Sequence, residues 1–206
     1  MSRYLALRSV TDRVVAGALL VAASPVMLGV GVAILASMGT PVLFRQERIG
    51  EGGKVFRIVK FRTMVPHAAP VAQTDAASDV HLIPPLGKFL RATSLDELPQ
   101  LINIAAGDMS FIGPRPVLPW QAARYSDRHR IRLRVPQGVT GLAQVRFRHS
   151  APWSERIEAD IEYVESVSAR LDARILLETV SSLLRRKGVE VHDHSEDVDG
   201  RTPSEH

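Results

Sequence analysis

The sequence predicts an α+β, mostly helical, membrane-associated domain with an N-terminal re-entrant membrane helix, a short β-hairpin and interfacial amphipathic helices. Three observations predict it. Residues 14–38, VVAGALLVAASPVMLGVGVAILASM, hold no charge. Gly50, Gly52 and Gly53 separate two extended segments. From Ser154 to Lys187 apolar residues recur at helical spacing. The 206 residues suit one domain with a real core and are few for two. The chain divides into a helix–break–helix membrane element over 1–40, a cytosol-facing domain over 41–188 and an acidic disordered tail over 189–206.

As a single helix, the uncharged block would measure about 38 Å, enough to cross a bilayer core of about 30 Å. A transmembrane helix is therefore the first reading, and the block is too long for the apolar part of a signal peptide. Ser24-Pro25 falls near its middle. Proline lacks an N–H and sets its ring against the carbonyl of Val21, which the Ser24 hydroxyl is placed to satisfy. Arg3, Arg8 and Arg13 precede the block, and Arg45, Arg48, Lys54, Arg57, Lys60 and Arg62 follow it. Both flanks thus carry a cytoplasmic signature. A helix that enters one leaflet and turns back at Ser24-Pro25 puts both on one side. Its arms, about 17–20 Å each, are too short to cross.

After Thr40-Pro41, Val42 to Phe44 reads as a short extended piece. The glycine turn leads into VFRIVKFRTM, a strand carrying Arg57, Lys60 and Arg62. Residues 66–85 read as a surface loop, whose His67, Asp75, Asp79 and His81 match no usual metal-ligand spacing. A helix over Leu86–Arg91 then introduces RATSLDELPQLINIAAGDMSFIGPRPVLP, residues 91–119. Ser94 and Glu97 fit a capping box, with Pro99 in or just past the first turn. Leu98, Leu101, Ile102 and Ala105 have helical spacing, and Gly107 is the stop.

Adjacent acids at a helix start suit the helix dipole and on that ground alone mean little. Asp96 and Glu97, however, cannot face the same way, so one can cap while the other reaches into a site. A helix N-terminus also favours a phosphate beside it. Arg91 lies five residues before Asp96, and Arg115 follows in a Gly- and Pro-punctuated turn. Together these residues point to phosphoryl chemistry.

Beyond Trp120, QAARYSDRHRIRLR reads as a polar helix, and VPQGVTGLAQVRFRH as turns around a short strand. Ile157, Ile161 and Val164, then Leu171, Ile175, Leu176, Val180, Leu183 and Leu184, mark one or two amphipathic helices. The second ends in Arg185, Arg186 and Lys187, which suits a helix lying among lipid headgroups.

The chain has no cysteine, which excludes a disulfide framework, a thiolate metal site and a cysteine nucleophile. Its net charge of +4 hides an asymmetry: six acids against Arg201 after Gly188 leave residues 1–188 at +9. Such a body suits anionic lipid or phosphorylated substrates. With 5% aromatics and no interleaved aromatic and basic stretch, nucleic acid is not expected as a partner.

The run FRQERIGEGGKVFRIVKFRTM, then SLDELPQL, GDMSFIGPRP and VPQGVTGLAQV, resembles the bacterial sugar transferase family, the small monotopic phosphoglycosyl transferases. The resemblance extends from about Thr11 to Arg186, with the motifs in order and ordinarily spaced. It implies transfer of a sugar 1-phosphate from a UDP-sugar to polyprenyl (undecaprenyl) phosphate, releasing UMP and starting polysaccharide or glycoconjugate assembly. It further implies a bacterial inner (plasma) membrane location, with the catalytic domain on the cytoplasmic face. Ser24-Pro25 would be the membrane helix break, and the chain would be the minimal form of the family.

Residue by residue, the resemblance makes Asp96 the nucleophile, forming a covalent phosphosugar enzyme, and Glu97 its partner. Mg²⁺ would be held by Asp96 and phosphate oxygens. Arg62, Arg91, Arg115 and Arg148 would grip phosphates or the nucleotide, with Pro114-Arg115-Pro116 a stiff turn near uridine. Family members often read Asn-Gly-Arg-Asn where Arg146-Phe147-Arg148-His149 stands, so only Arg148 carries over. The alternative reading is a non-catalytic membrane-anchored binding component of a polysaccharide assembly complex. A homodimer is left open.

Overall fold

The computed structural model describes residues 3–65, 83–147 and 151–184. Its N-terminal helix, α1 (Arg3–Met38), runs unbroken through Ser24-Pro25, which corrects the helix–break–helix expectation. The reason is local. Pro25 offers no N–H to the Val21 carbonyl, and Ser24 Oγ donates to that oxygen at 2.7 Å instead.

At 36 residues, α1 is about 54 Å long and carries an inward face at three- and four-residue spacing. Leu5 packs with Ile112, Val135, Leu142, Tyr163 and Ile175. Ala16 and Leu20 pack with Ile58, Leu101, Ile104 and Met109. Met27, Val30, Ile34 and Met38 pack with Phe61 and Leu90. The first turns also direct polar groups inward: Arg8 donates to the Tyr163 hydroxyl at 2.5 Å and to Asp172 at 2.7 Å, and Ser110 Oγ donates to Asp12. Facing away from the body are Leu7, Val10, Val14, Leu19, Val21, Leu28, Val32 and Leu35, all exposed. A helix that faces solvent in water shows the reverse pattern, with its apolar stripe inside.

Strands β1 (Leu43–Ile49) and β2 (Val55–Phe61) form the expected antiparallel hairpin, with Leu43 opposite Phe61 and Ile49 opposite Val55. Gly52 and Gly53 take φ of 66° and 80° in its turn, a region open to glycine. β1 extends five residues past the expected Phe44 because its outer side chains are charged and sit in water, masking the alternation.

Helices α2 (Pro85–Thr93) and α3 (Gln100–Ala106) flank the acid pair, and α3 stops at Gly107 as expected. Asn103 ties α3 to β2: its Oδ1 accepts from Val59 N at 3.0 Å and its Nδ2 donates to the Arg57 carbonyl at 2.8 Å.

A second, parallel pair joins β3 (Ser110–Ile112) to β4 (Gly138–Thr140). Here two backbones cross with no room for side chains. A Cβ on Gly138 would lie 2.1 Å from Gly113 N, and one on Gly141 would lie 2.2 Å from Gly113 O. Gly138→Ala is therefore expected to cost about 1–3 kcal/mol or more, read as a lowered denaturation midpoint.

The expected polar helix after Trp120 is divided into α4 (Pro119–Ala123), α5 (Asp127–Arg130) and a three-ten turn over Ile131–Arg134. Burial explains the division: Tyr125 and Leu133 turn inward to join Ile49, Val117, Ile157 and Ile161. The described residues end in α6 (Leu142–Phe147), α7 (Trp153–Ser166) and α8 (Ala169–Leu184). α7 buries Ile157, Ala159, Ile161 and Tyr163, whereas α8 buries Ile175 and exposes Leu176, Leu177 and Val180. Expectations for the loop residues His67, Asp75, Asp79 and His81, for Arg148 and for the tail over 189–206 fall outside the described residues.

Candidate active site

The acid pair lies on a three-ten turn, Leu95–Glu97, between α2 and α3 rather than on a helix start. The expected capping box is absent because Ser94 ends α2 instead. Its N–H donates to the Arg91 and Leu90 carbonyls, and its backbone is left-handed, with φ of 57°. An N-cap serine needs extended dihedrals, so Ser94 cannot serve both ends. Glu97, released from capping, turns to β2 and to the loop after β3.

There Glu97 Oε1 accepts from Lys60 Nζ at 2.7 Å and from Arg115 Nη2 at 3.2 Å. Burial opposes its charge, but Arg115 and Lys60 outweigh that and bring its pKa down to about 2. Glu97 thus stays ionised in any ordinary buffer. Lys60 is itself pushed below the usual lysine range by burial and by Arg115, against the pull of Glu97.

Asp96 is treated differently. Among the described residues it accepts no hydrogen bond, and its pKa is raised by burial and by the Glu97 charge, against Lys60, Arg91 and Arg115. Side by side, one carboxylate is locked between two cations while the other is desolvated and unengaged. If Glu97 raises Asp96, Glu97→Gln should shift the acid limb of the residual kcat/KM–pH profile to lower pH. A limb that stays in place or rises would show that the two acids do not act on each other.

Arg91, on the last turn of α2, donates from Nε to Thr63 Oγ1 at 2.9 Å and lies within electrostatic reach of Asp96. Gly87 permits this approach, since a Cβ there would sit 2.0 Å from the Thr63 carbonyl oxygen. The Pro114-Arg115-Pro116 turn is held from three sides. Gly138 N donates to the Pro114 carbonyl at 2.9 Å, Arg132 Nη2 to that of Arg115 at 3.0 Å, and Arg48 Nη1 to that of Pro116 at 3.3 Å. Pro114 and Pro116 are buried, while the Arg115 side chain projects, 44% exposed, toward the acids.

Arg62 is not part of this cluster, a correction to its expected role as a phosphate ligand. It is 7% exposed, and its terminal nitrogens donate to the carbonyls of Met38, Gly39 and Thr40. A guanidinium suits these orphan carbonyls at the C-terminal end of a helix. Two residues earlier on the same strand face, Lys60 occupies the place expected of Arg62. Alternation shows that the two share a face and not which one meets the acids. Arg132 and Asn103 are buried as well, although their polar types give no sign of it in the sequence.

Oxygen donors from Asp96, with an anionic substrate beside it, fit a hard divalent ion such as Mg²⁺, which typically takes one or two carboxylates plus phosphate oxygens and waters. Among the described residues no group of three or more His, Asp or Glu offers a complete protein cage, so the substrate would have to complete the shell.

A model of the family described as bacterial sugar transferase matches residues 3–186. The chain is 42% identical over 182 residues to a UDP-glucose:undecaprenyl-phosphate glucose-1-phosphate transferase of Caulobacter vibrioides, covering 83% of this chain and 67% of that one. It is 35% identical to an undecaprenyl-phosphate galactose phosphotransferase of Salmonella typhimurium, covering 91% of this chain and 42% of the relative, so it spans less than half of that protein. An uncharacterized sugar transferase, EpsL, of Bacillus subtilis is 35% identical, with 91% and 92% covered.

Proposed function

Because the chain belongs to the bacterial sugar transferase family, we propose that its acid pair transfers a sugar 1-phosphate from a UDP-sugar to polyprenyl phosphate through a phosphosugar–aspartate intermediate. The protein is a phosphoglycosyl transferase, and relatives named for glucose and galactose transfer support a sugar nucleotide of that class as donor. The observation that carries the mechanism is the unequal pairing of the two acids: Lys60 and Arg115 hold Glu97, while among the described residues no donor holds Asp96.

An Asp96 oxygen attacks the β-phosphorus of the donor. The bond from that phosphorus to the bridging oxygen breaks, and its electron pair leaves with UMP. A polyprenyl phosphate oxygen then attacks the same phosphorus, breaking the aspartyl bond and restoring the carboxylate. Arg91 and Arg115 face the donor phosphates. Lys60 holds Glu97 ionised beside them, where it positions or activates the acceptor. Mg²⁺, when bound at Asp96, would neutralise phosphate charge.

The placement of α1 bears on location. A helix crossing a bilayer carries its ends to opposite sides, yet here Arg8 binds α7 and α8 while the carbonyls of Met38 to Thr40 bind Arg62, all in one body. Between these anchors lie exposed apolar turns around Ser24-Pro25. This supports an unbroken helix seated along one leaflet of the inner membrane rather than one that turns back at Ser24-Pro25, with the catalytic body on the cytoplasmic face. The outer row of α8, Leu176, Leu177 and Val180, suits the headgroup boundary.

The test is UMP release in detergent with polyprenyl phosphate, Mg²⁺ and a panel of UDP-sugars. Release with at least one sugar, lost on chelation, is expected. No release above background with any sugar would overturn the proposal in favour of a non-catalytic binding role.

A further inference from the structure

Behind the Pro114-Arg115-Pro116 turn lies a buried charged group with no place in the chemistry so far. Arg132 is 4% exposed and Asp160, on α7, 3%. Arg132 Nη2 is shared between the Asp160 carboxylate and the Arg115 carbonyl, and its Nη1 donates to the Tyr125 hydroxyl. Its guanidinium also stands over the Tyr125 ring, 5.7 Å from the centroid. The Arg132 backbone is held in turn, since its carbonyl accepts from the fully buried Gln137 at 3.1 Å. A buried ion pair is a poor device for stability, because desolvation cancels most of its attraction. Its geometry here has one outlet toward the active site: the carbonyl of the residue whose side chain meets Glu97.

We propose that Arg132, held by Asp160 and Tyr125, is a positioning residue that fixes the backbone of Arg115 so that its guanidinium meets the donor phosphates. This deepens the proposed function and rests on Arg115 acting as a donor ligand. The guanidinium meets the turn at the Arg115 carbonyl. It touches no reacting atom, and it sets the direction in which Arg115 leaves the turn. A displacement of about 1 Å at such a point can cost roughly 100-fold in rate. Lysine in place of Arg132 keeps the charge but lacks the planar fork that serves carbonyl, carboxylate and hydroxyl together.

The experiment compares wild type, R132K and the pair replacement R132M/D160L for folding, for Michaelis constants with both substrates and for Mg²⁺·UDP binding by calorimetry. R132M/D160L removes both buried charges, a change that often preserves or raises stability, so it guards against a variant that merely fails to fold. Both variants should keep cooperative unfolding yet lose roughly 10–100-fold in kcat/KM for the UDP-sugar, with weaker UDP binding and an unchanged KM for polyprenyl phosphate. In an R115K background the R132K effect should shrink to less than about threefold, because the residue acts through Arg115.

Recovery of wild-type kinetics in R132M/D160L, or full additivity with R115K, would overturn the positioning role and leave the family reaction standing. A wild-type protein that neither binds UDP nor releases UMP would overturn the donor reading, and this inference with it.

Discussion

Asp96→Asn abolishes sugar-phosphate transfer, lowering turnover by at least about 10³-fold, while the protein stays folded and membrane-bound. The carboxylate is the only group in the cluster that is both a competent nucleophile and unengaged by neighbouring donors among the described residues. Lys60 and Arg115 occupy Glu97, and the arginines attract phosphate without attacking it. Stability should move the other way. Burial and the Glu97 charge raise the folded-state pKa of Asp96, so above the unfolded value its ionisation opposes folding. Asparagine removes that opposition, and Tm should equal or exceed the wild-type value at pH 7. Near-normal turnover in this variant would exclude Asp96 as the nucleophile; a collapsed Tm would exclude the electrostatic account of its surroundings.

Lys60→Gln is the second large effect, expected to lower kcat/KM by roughly 100-fold. Lys60 is the nearer of the two cations on Glu97, and it also favours the ionised form of Asp96. Without it, both acids titrate higher. Glu97 rises from about 2 toward the ordinary range, and Asp96 moves further above its own. The acid limb of the pH profile should therefore move to higher pH, opposite in sign to Glu97→Gln. The loss should be deeper at pH 6 than at pH 8. An equal loss at both would show that Lys60 does not tune the acids.

These two residues also mark how far the sequence could be read. Asp96, Glu97, Arg91 and Arg115 were legible as candidates because their motif compresses acids, a glycine–proline turn and arginines into 25 residues, and the structure brings them together. Lys60 was not legible as a site residue. It reaches Glu97 across 37 positions, a distance set by the packing of β2 on α3, where Asn103 bonds β2 and Ile58 meets Leu101 and Ile104. Arg62 is drawn away from the site by contacts equally hidden in the sequence: its partners at the end of α1 are over 20 residues away.

The uncharged block foretold a long apolar helix, and Ser24 foretold how Pro25 is accommodated. Nothing in composition showed that the preceding Arg8 and Asp12 would turn inward, since charges near a membrane helix ordinarily face water. Arg132 illustrates the same limit, sitting in a stretch of six basic residues yet buried against Asp160. Burial of a charge depends on a partner that folding supplies, and a linear pattern holds no record of that partner.

The central claim is that Asp96 itself carries the sugar phosphate between donor and acceptor. Intact-mass spectrometry of the detergent-solubilised protein, incubated with Mg²⁺ and its UDP-sugar but without polyprenyl phosphate, tests this directly. The expected result is a gain of one sugar-phosphate mass mapping to Asp96, discharged when the lipid phosphate is added and absent from Asp96→Asn. Turnover by the wild type with no such adduct, or an equal adduct on Asp96→Asn, would contradict the account.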